Sequence, residues 1–469
     1  MAETERWDAI VIGTGQGGKP LAGALAEAGW RTAIIEKSRV GGTCVLTGCT
    51  PTKTMIASAR VAHLVRRAHD YGIETGDLRI DLRRVRERKR AIVENFSSGS
   101  RKGLERHDDL ELVFGTARFV GVREVEVALQ EGGSRRLTSD HIFINVGARP
   151  RVPDLPGLDR VSPLHAAGLM ELETVPDHLV VLGGGFIGLE FGQMFRRFGA
   201  DVSIVERRRL VSREDPDVSE ALTEILQEEG IQVHTGAQAL RVDNGNGSSR
   251  STGEGVHLYI DVDGDERRIE GSHLLLAIGT EPNSDLLNVE ATGIELDDRG
   301  QVPVNGRCET SAEGIWALGD VTGGPPFTHT SYDDFRIIRD NVLHDGDATK
   351  DGRVVPYTLF TDPQLGRVGL SEEEAKRESR AYTVAKLPMS RVARAIETDE
   401  TRGFMKALVD PETEEILGAT ILGIDAGEVI TVVQTAMMGG LPWTALRDAV
   451  FSHPTVSESL NNLFMTLDP

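Results

Sequence analysis

The chain has 469 residues, 39% of them hydrophobic and 52 of them glycine, which is too long for a single core and implies roughly three domains. A formal net charge of −21 argues against nucleic acid or an anionic membrane as a partner, because phosphate binding relies on clustered Lys and Arg. No stretch approaches the roughly 18 apolar residues of a membrane span, and MAETERWD lacks the charged-then-apolar order of a signal peptide, so a cytoplasmic protein is expected.

The first element is WDAIVIGTGQGGKPLAGALAEAGWRTAIIEK: an apolar strand, the glycines Gly13, Gly15 and Gly18, a helical stretch, and a second strand ending at Glu36. Such glycines make a tight turn, let a pyrophosphate approach the backbone and let helix pack on strand, while the helix N-terminus offers free N–H groups to the anion. Glu36 would accept hydrogen bonds from ribose hydroxyls. One G-x-G-x-x-G alone is a weak signal. Downstream, however, DHLVVLGGGFIGLEFGQMFRRFGADVSIVER repeats it with Gly183, Gly185, Gly188 and Glu206. In both copies the acid follows the first glycine by 23 residues, and the glycine closing the helix, Gly29 or Gly199, follows it by 16. Two dinucleotides on two Rossmann-type domains are implied.

Between the copies, VGGTCVLTGCTPTKT at Val40 to Thr54 holds Cys44 and Cys49 in a C-x₄-C arrangement close to Lys53. Taken alone the pair could be half a metal clip, two unrelated buried thiols, or a redox dithiol; no second close pair completes a zinc site, so no metal is expected. The segment after Pro51 reads as a helix with Lys53 in its first turn, and a helix N-terminus with a nearby cation lowers a thiol's pKa. RRVRERKR at Arg83 to Arg90 reads as a solvated helix face. Each nucleotide copy is followed by a strand ending in a G-x-x-P turn, IFINVGARP at Gly147 and LLLAIGTEP at Gly279; these read as the closing strands of the two domains. DNGNGSSRSTGEG at Asp243 to Gly255 reads as an exposed hairpin loop. Cys308 has no sequence partner and is expected to be buried. GIWALGDVTGG delivers Asp320 at a strand end, where it could hold a polyol chain or cap the next helix. SHPTVSESLNNLF supplies His453 and Glu458, an imidazole with a carboxylate able to hold its tautomer.

In this order, the nucleotide motif, C-x₄-C with P-T-K, second nucleotide motif, G-D turn and SHPTVSE resemble the class I pyridine nucleotide-disulfide oxidoreductases over essentially the whole chain. That is the family of glutathione reductase, dihydrolipoamide dehydrogenase and mercuric reductase. The resemblance implies an α/β fold with two Rossmann-type nucleotide-binding domains, for FAD and NAD(P)H, and an α+β C-terminal dimerisation domain. The implied divisions are 1–150 for FAD, 151–280 for NAD(P)H, 281–346 for a central domain completing the FAD site, and 347–469 for dimerisation. It assigns Gly13, Gly15, Gly18 and Glu36 to the adenosine and pyrophosphate end of FAD, Gly42, Thr43 and Lys53 to the flavin, and Asp320 to the ribityl chain. Gly147 and Gly279 fall at the closing turns. Gly183, Gly185, Gly188 and Glu206 fall to the nicotinamide nucleotide, and Glu190 to the acid that pairs with Lys53.

Cys49 would then lie against the flavin and Cys44 face the substrate, with His453 and Glu458 reaching the disulfide of the other subunit of a homodimer. The implied activity is electron transfer from NADH, with NADPH the alternative, through FAD to a Cys44–Cys49 disulfide and on to a small-molecule or protein disulfide. The alternative acceptor is a soft metal ion, Cu(II) or Hg(II), at the same dithiol. VPYTLFTDPQLGRVGL looks closer to mercuric reductases than to dihydrolipoamide dehydrogenases, yet those enzymes carry a C-terminal cysteine pair and a tyrosine at the His453 position, and neither stands here. SHPTVSESLNNLF also resembles a bacterial flavoprotein that protects against reactive chlorine and reduces Cu(II). Glu206 would accept from a ribose 2′-hydroxyl and repel a 2′-phosphate, although Arg207, Arg208 and Arg209 follow it.

Overall fold

The structure, a computed structural model, describes residues 4–245 and 255–468. The chain forms two compact units. The first gathers Met1–Met55, Arg83–Arg151 and Gly279–Arg353; the second gathers Ile56–Leu82, Val152–Ile278 and Val354–Pro469.

The first unit is built on an eight-stranded sheet. Its strands run in the order Thr4–Arg6, Ser134–Thr138, Glu124–Leu129, Leu110–Gly121, Thr32–Glu36, Ala9–Ile12, Ile142–Ile144 and Ile315–Ala317, and the last five of these pair in parallel. In Ala9–Ile12 every residue is buried, as a parallel strand covered on both faces requires. Ala9 and Val11 pack with Leu21, Leu25 and Phe143 on one face, and Ile10 and Ile12 pack with Phe119 and Val125 on the other. The helix Gly18–Glu27 buries Leu21, Ala22, Leu25 and Ala26, a single stripe at helical spacing. Burying each of its two leucines contributes about 1.5–3 kcal/mol. The helix is stopped by Gly29 in the left-handed region, at φ +81°.

The strand Ile142–Ile144 pairs with Ala9–Ile12 and is followed by the G-x-x-P turn. Ile315–Ala317, 171 residues after it at its end, adds outside it in parallel. In the second unit His273–Leu276 is the edge of a four-stranded parallel sheet in the order Gln232–His234, Asp201–Val205, His178–Leu182, His273–Leu276. The two turns also meet: Ala148–Pro150 and Thr280–Pro282 form a two-stranded antiparallel ribbon, and Arg151 N donates to Gly279 O at 3.0 Å.

The second unit adds a three-stranded antiparallel sheet and a five-stranded antiparallel sheet, the latter in the order Tyr357–Leu359, Gln364–Gly369, Ile416–Gly423, Phe404–Val409, Thr383–Pro388. The helices Ala426–Met438 and Ser459–Met465 belong to the core of this last sheet. The hairpin expected at Asp243 to Gly255 is present in its flanks, Ala237–Asn244 paired with Val256–Val262; its tip, residues 246–254, lies outside the described residues.

All six residues of Phe404–Val409 are buried, Lys406 among them. An ammonium so placed needs charge partners, and Nζ donates to Asp215 at 2.7 Å, Asp217 at 2.8 Å and Glu372 at 3.0 Å. Those three carboxylates are the only metal-like acidic group among the described residues, and the lysine occupies it. The RRVRERKR segment lies on the helix Leu82–Leu104 as expected, except that Lys89 is buried. Among the described residues no helix is long and apolar enough to cross a membrane.

Candidate functional site

The two nucleotide motifs fold into near-copies of one another. Gly13 and Gly183 take φ of +107° and +115°, and a Cβ on either would stand 2.3 Å from a carbonyl oxygen, that of Asn145 or Ala277. Only glycine allows the strand behind to come so close. The strand-end acids repeat as well. Glu36 accepts from Thr14 N through one oxygen and from Ser38 N, at 2.9 Å, through the other; Glu206 accepts from Gly184 N at 2.8 Å and Arg208 N at 2.9 Å. Each carboxylate is thereby fixed by backbone donors. Gly185 and Gly188 open the helix Phe186–Phe198, and a Cβ at Gly185 would meet nothing within 4 Å, so this face of the turn is open to a phosphate.

In the first unit the turn is braced by a residue that sequence reasoning missed. Asn145, at the end of IFIN, accepts from Gly18 N at 2.9 Å and donates to Leu318 O at 3.0 Å. A polar residue closing an apolar strand was the available signal. Gly42 and Thr43 open the short helix Gly42–Leu46, and Gly42 approaches Gly15 so closely that a Cβ on it would lie 2.7 Å from Gly15 Cα. The cradle thus brings Gly13, Gly15, Gly18, Glu36 and Gly42 together, and its donor set and free backbone face fit a dinucleotide. Gly147, at φ +64°, and Gly279, at φ +105°, make the sharp turns into the paired ribbon. Asp320 opens the turn Asp320–Thr322; burial, and then the nearby Cys49 sulfur, push its carboxyl above the ordinary range.

The helix that carries Lys53 begins at Cys49 itself, two residues before Pro51, and runs to Arg66. Cys44 sits on the preceding helix Gly42–Leu46, so the two sulfurs face each other across a break at Thr47 and Gly48. Both are free thiols here. A hydrogen bond from Cys44 lowers Cys49 from 9.0 to about 6, against the effect of burial, and Thr328 and the Lys53 charge add to it. The same interaction, together with burial, drives Cys44 the other way. The pair is thereby polarised, with Cys49 biased toward the thiolate and Cys44 toward the thiol. Thr328 Oγ1 lies 3.4 Å from Cys49 Sγ, and the partly buried Lys19 ammonium acts on Cys44; neither residue was singled out from sequence.

In the second unit Glu190 is buried and accepts from Phe360 N at 2.9 Å. His453 Nδ1 lies 2.9 Å from both oxygens of Glu458, which fixes the proton on Nδ1 and leaves the exposed Nε2 free to take up a proton. Arg209 donates to Glu214 O at 2.8 Å and to Glu373 at 2.6 Å, so it is already engaged. Cys308 is fully buried among apolar side chains, and burial raises its thiol to about 12, as expected of a residue outside the redox site.

Two glycine cradles, a polarised cysteine pair and a C-terminal α+β sheet define a flavin-dependent disulfide oxidoreductase, and the chain belongs to the pyridine nucleotide-disulphide oxidoreductase family: residues 7–334 match that family, and residues 355–464 match its dimerisation domain. It is an enzyme that uses FAD and NAD(P)H. Among curated proteins it is 38% identical to the probable pyridine nucleotide-disulfide oxidoreductase RclA of Escherichia coli strain K12, over 98% of this chain and 99% of RclA. It is also 34% identical to a mercuric reductase of Staphylococcus aureus, over 98% of this chain and 82% of that protein. Among solved structures, the Cu(II) complex of the HOCl-induced flavoprotein disulfide reductase RclA from Escherichia coli superposes with a TM-score of 0.89 at 36% identity, covering 99% of this chain and all of that one.

Proposed function

We propose that the enzyme uses NADH to reduce a small-molecule or protein disulfide through the Cys44–Cys49 dithiol. The observation that carries this reading is the pair itself, two free thiols on consecutive helices with the Thr328 hydroxyl 3.4 Å from Cys49 Sγ, a setting that favours the Cys49 thiolate. FAD, when bound, supplies the two-electron relay between nicotinamide and the disulfide. Gly13, Gly15, Gly18 and Glu36 would hold its adenosine and pyrophosphate, Gly42, Thr43 and Lys53 would surround its ring, and Asp320 would hold its polyol chain. Gly183, Gly185, Gly188 and Glu206 would hold the nicotinamide nucleotide, with Glu190 the partner of Lys53. Glu206 and the prior engagement of Arg209 favour NADH over NADPH.

Turnover of substrate is thiol chemistry. Cys44 gives its proton to His453, and the resulting thiolate attacks one substrate sulfur; the other leaves as a thiolate and takes the proton back from the imidazolium. Cys49 then attacks Cys44 of the mixed disulfide, expels the second thiolate and restores the Cys44–Cys49 disulfide. His453 and Glu458 act in this reading on the dithiol of the other subunit of a homodimer, with 347–469 as the dimerisation segment, 1–150 and 281–346 completing the FAD site, 151–280 holding NAD(P)H, and the protein working in the cytoplasm.

A second reading, metal-ion reduction at the same dithiol, rests on relatives described as a Cu(II) complex and as mercuric reductases. The His453–Glu458 pair favours disulfides, because a leaving thiolate needs a proton and a metal ion does not. NADH oxidation measured side by side with lipoamide, glutathione disulfide, Cu(II) and Hg(II) tests it. Turnover with a disulfide is expected; turnover with the metals alone would refute the first reading in favour of the second.

A further inference from the structure

Residues 206–215 connect the strand Asp201–Val205 to the helix Pro216–Glu228 and lie against the second glycine turn. Gly184 in that turn is held on both sides of its backbone. Its N–H donates to Glu206 at 2.8 Å, and its carbonyl accepts from Val211 N at 2.9 Å. The fit leaves no room to spare: a Cβ on Gly184 would stand 2.6 Å from the Leu210 side chain and 2.9 Å from Glu206 Cβ. This contact is made under strain, because the buried Val211 sits at φ +40°, a left-handed conformation that a β-branched residue adopts only at a cost. Something must hold it there.

The anchor is Glu214, which is 1% exposed. Its N–H donates to Val211 O at 2.7 Å, and its carbonyl accepts from Arg209 at 2.8 Å. Its carboxylate accepts from the Tyr357 hydroxyl and, at 2.9 Å, from the buried Arg367 guanidinium. Those two donors stand on the paired strands Tyr357–Leu359 and Gln364–Gly369 of the five-stranded sheet, and Arg367 is held in turn by Glu374 at 2.6 Å. We infer that Glu214 is a positioning residue for the nicotinamide nucleotide: it pins residues 206–215 to the C-terminal sheet, which keeps Val211 on the Gly184 carbonyl and the Glu206 carboxylate at the ribose position. Released from the sheet, Val211 relaxes out of the left-handed region and its N–H leaves Gly184. The turn that would meet the pyrophosphate then loses one of its two supports.

This inference rests on the nucleotide reading of the second cradle, and the experiment separates the two. Binding of ADP-ribose to the oxidised, FAD-loaded enzyme is measured by calorimetry in wild type, Glu206→Ala, Glu214→Gln and Tyr357→Phe, beside kcat and KM for NADH, with FAD content and Tm reporting on folding. Glu214→Gln is expected to raise the ADP-ribose Kd and the NADH KM about tenfold, as the loss of one charge-assisted hydrogen bond at the anchor requires, while kcat stays within about twofold of wild type. Tyr357→Phe keeps the ring that packs on Phe186 and removes one donor to the same carboxylate. It should raise both constants about threefold, and it decides the matter where Glu214→Gln does not fold. A lowered Tm with Kd and KM equal to wild type makes Glu214 merely structural and overturns the inference, as does a fall in kcat at unchanged KM; weakened binding in Glu206→Ala leaves the nucleotide reading standing. No ADP-ribose binding in wild type, or a Kd in Glu206→Ala equal to wild type, overturns both.

Discussion

Replacing Cys44 by Ala tests the polarised dithiol most directly. The substitution prevents the disulfide, so in the proposed site Cys49 would stay a single thiol beside the oxidised flavin and the charge-transfer band would need no reductant. Holding Cys49 at about 6 instead of 9.0 corresponds to about 4 kcal/mol of preference for the thiolate, and roughly half that once the exposure of the sulfur is allowed for. The largest contribution is the hydrogen bond from Cys44, and Cys44→Ala removes it while Lys53 and Thr328 stay. A hydrogen bond to a charged sulfur is worth about 1.5 kcal/mol, so the midpoint should rise by about one pH unit. The sign follows from the direction of the perturbation: with Cys49 lowered, the thiolate exists above the lowered value, and removing the cause moves the onset to higher pH. Long-wavelength absorbance of oxidised Cys44→Ala, titrated from acid to alkaline pH and compared with reduced wild type, gives the two midpoints. Equal midpoints, or a lower one in the variant, would show that Cys44 does not donate to Cys49.

His453→Gln should lower turnover with a disulfide by about 10²- to 10⁴-fold while leaving the stopped-flow rate of dithiol formation from NADH unchanged; a twofold loss or less would remove the imidazole from the mechanism. Lys19 pairs with no carboxylate among the described residues and donates to Ser100 Oγ at 3.2 Å, so Lys19→Met should raise KM for a carboxylate-bearing disulfide about tenfold, the cost of one lost charge contact, and leave KM for neutral lipoamide as it was. Lys406→Met strands the buried Asp215 carboxylate and should destabilise by about 3 kcal/mol, visible as a lower Tm at neutral pH. Although burial opposes it, Lys406 and its neighbours hold Asp215 and Asp217 below the ordinary carboxylate value. Their stabilisation is therefore present at neutral pH and fades as pH falls below about 4, and the Tm gap between wild type and variant should narrow in acid.

What could be read from the sequence was whatever is local. Both glycine turns, the acids that end their second strands and the C-x₄-C stretch each lie within a few dozen residues of their own context, and spacing exposes them; the His453–Glu458 pair stood out only through the resemblance of the whole motif order. Contacts closed by the fold were invisible. Ile142–Ile144 carries no mark that Ile315–Ala317 will cover its edge, because a three-residue apolar strand looks the same inside a sheet and at its rim. Thr328 is an ordinary helix-start threonine until Cys49 is folded against it. Lys89, in RRVRERKR, reads as a solvent-facing charge, and only tertiary packing shows that it is buried. Arg209 looked available to a 2′-phosphate because its partner Glu373 lies 164 residues away.

The ribbon of Ala148–Pro150 against Thr280–Pro282 sets how the long segment between its strands is closed. The chain leaves the first unit at Arg151 and rejoins it at Gly279, and those two residues are joined by one hydrogen bond. To its host, the whole intervening segment is therefore no wider than a hairpin loop, and the entropy of closing it scarcely depends on what it contains.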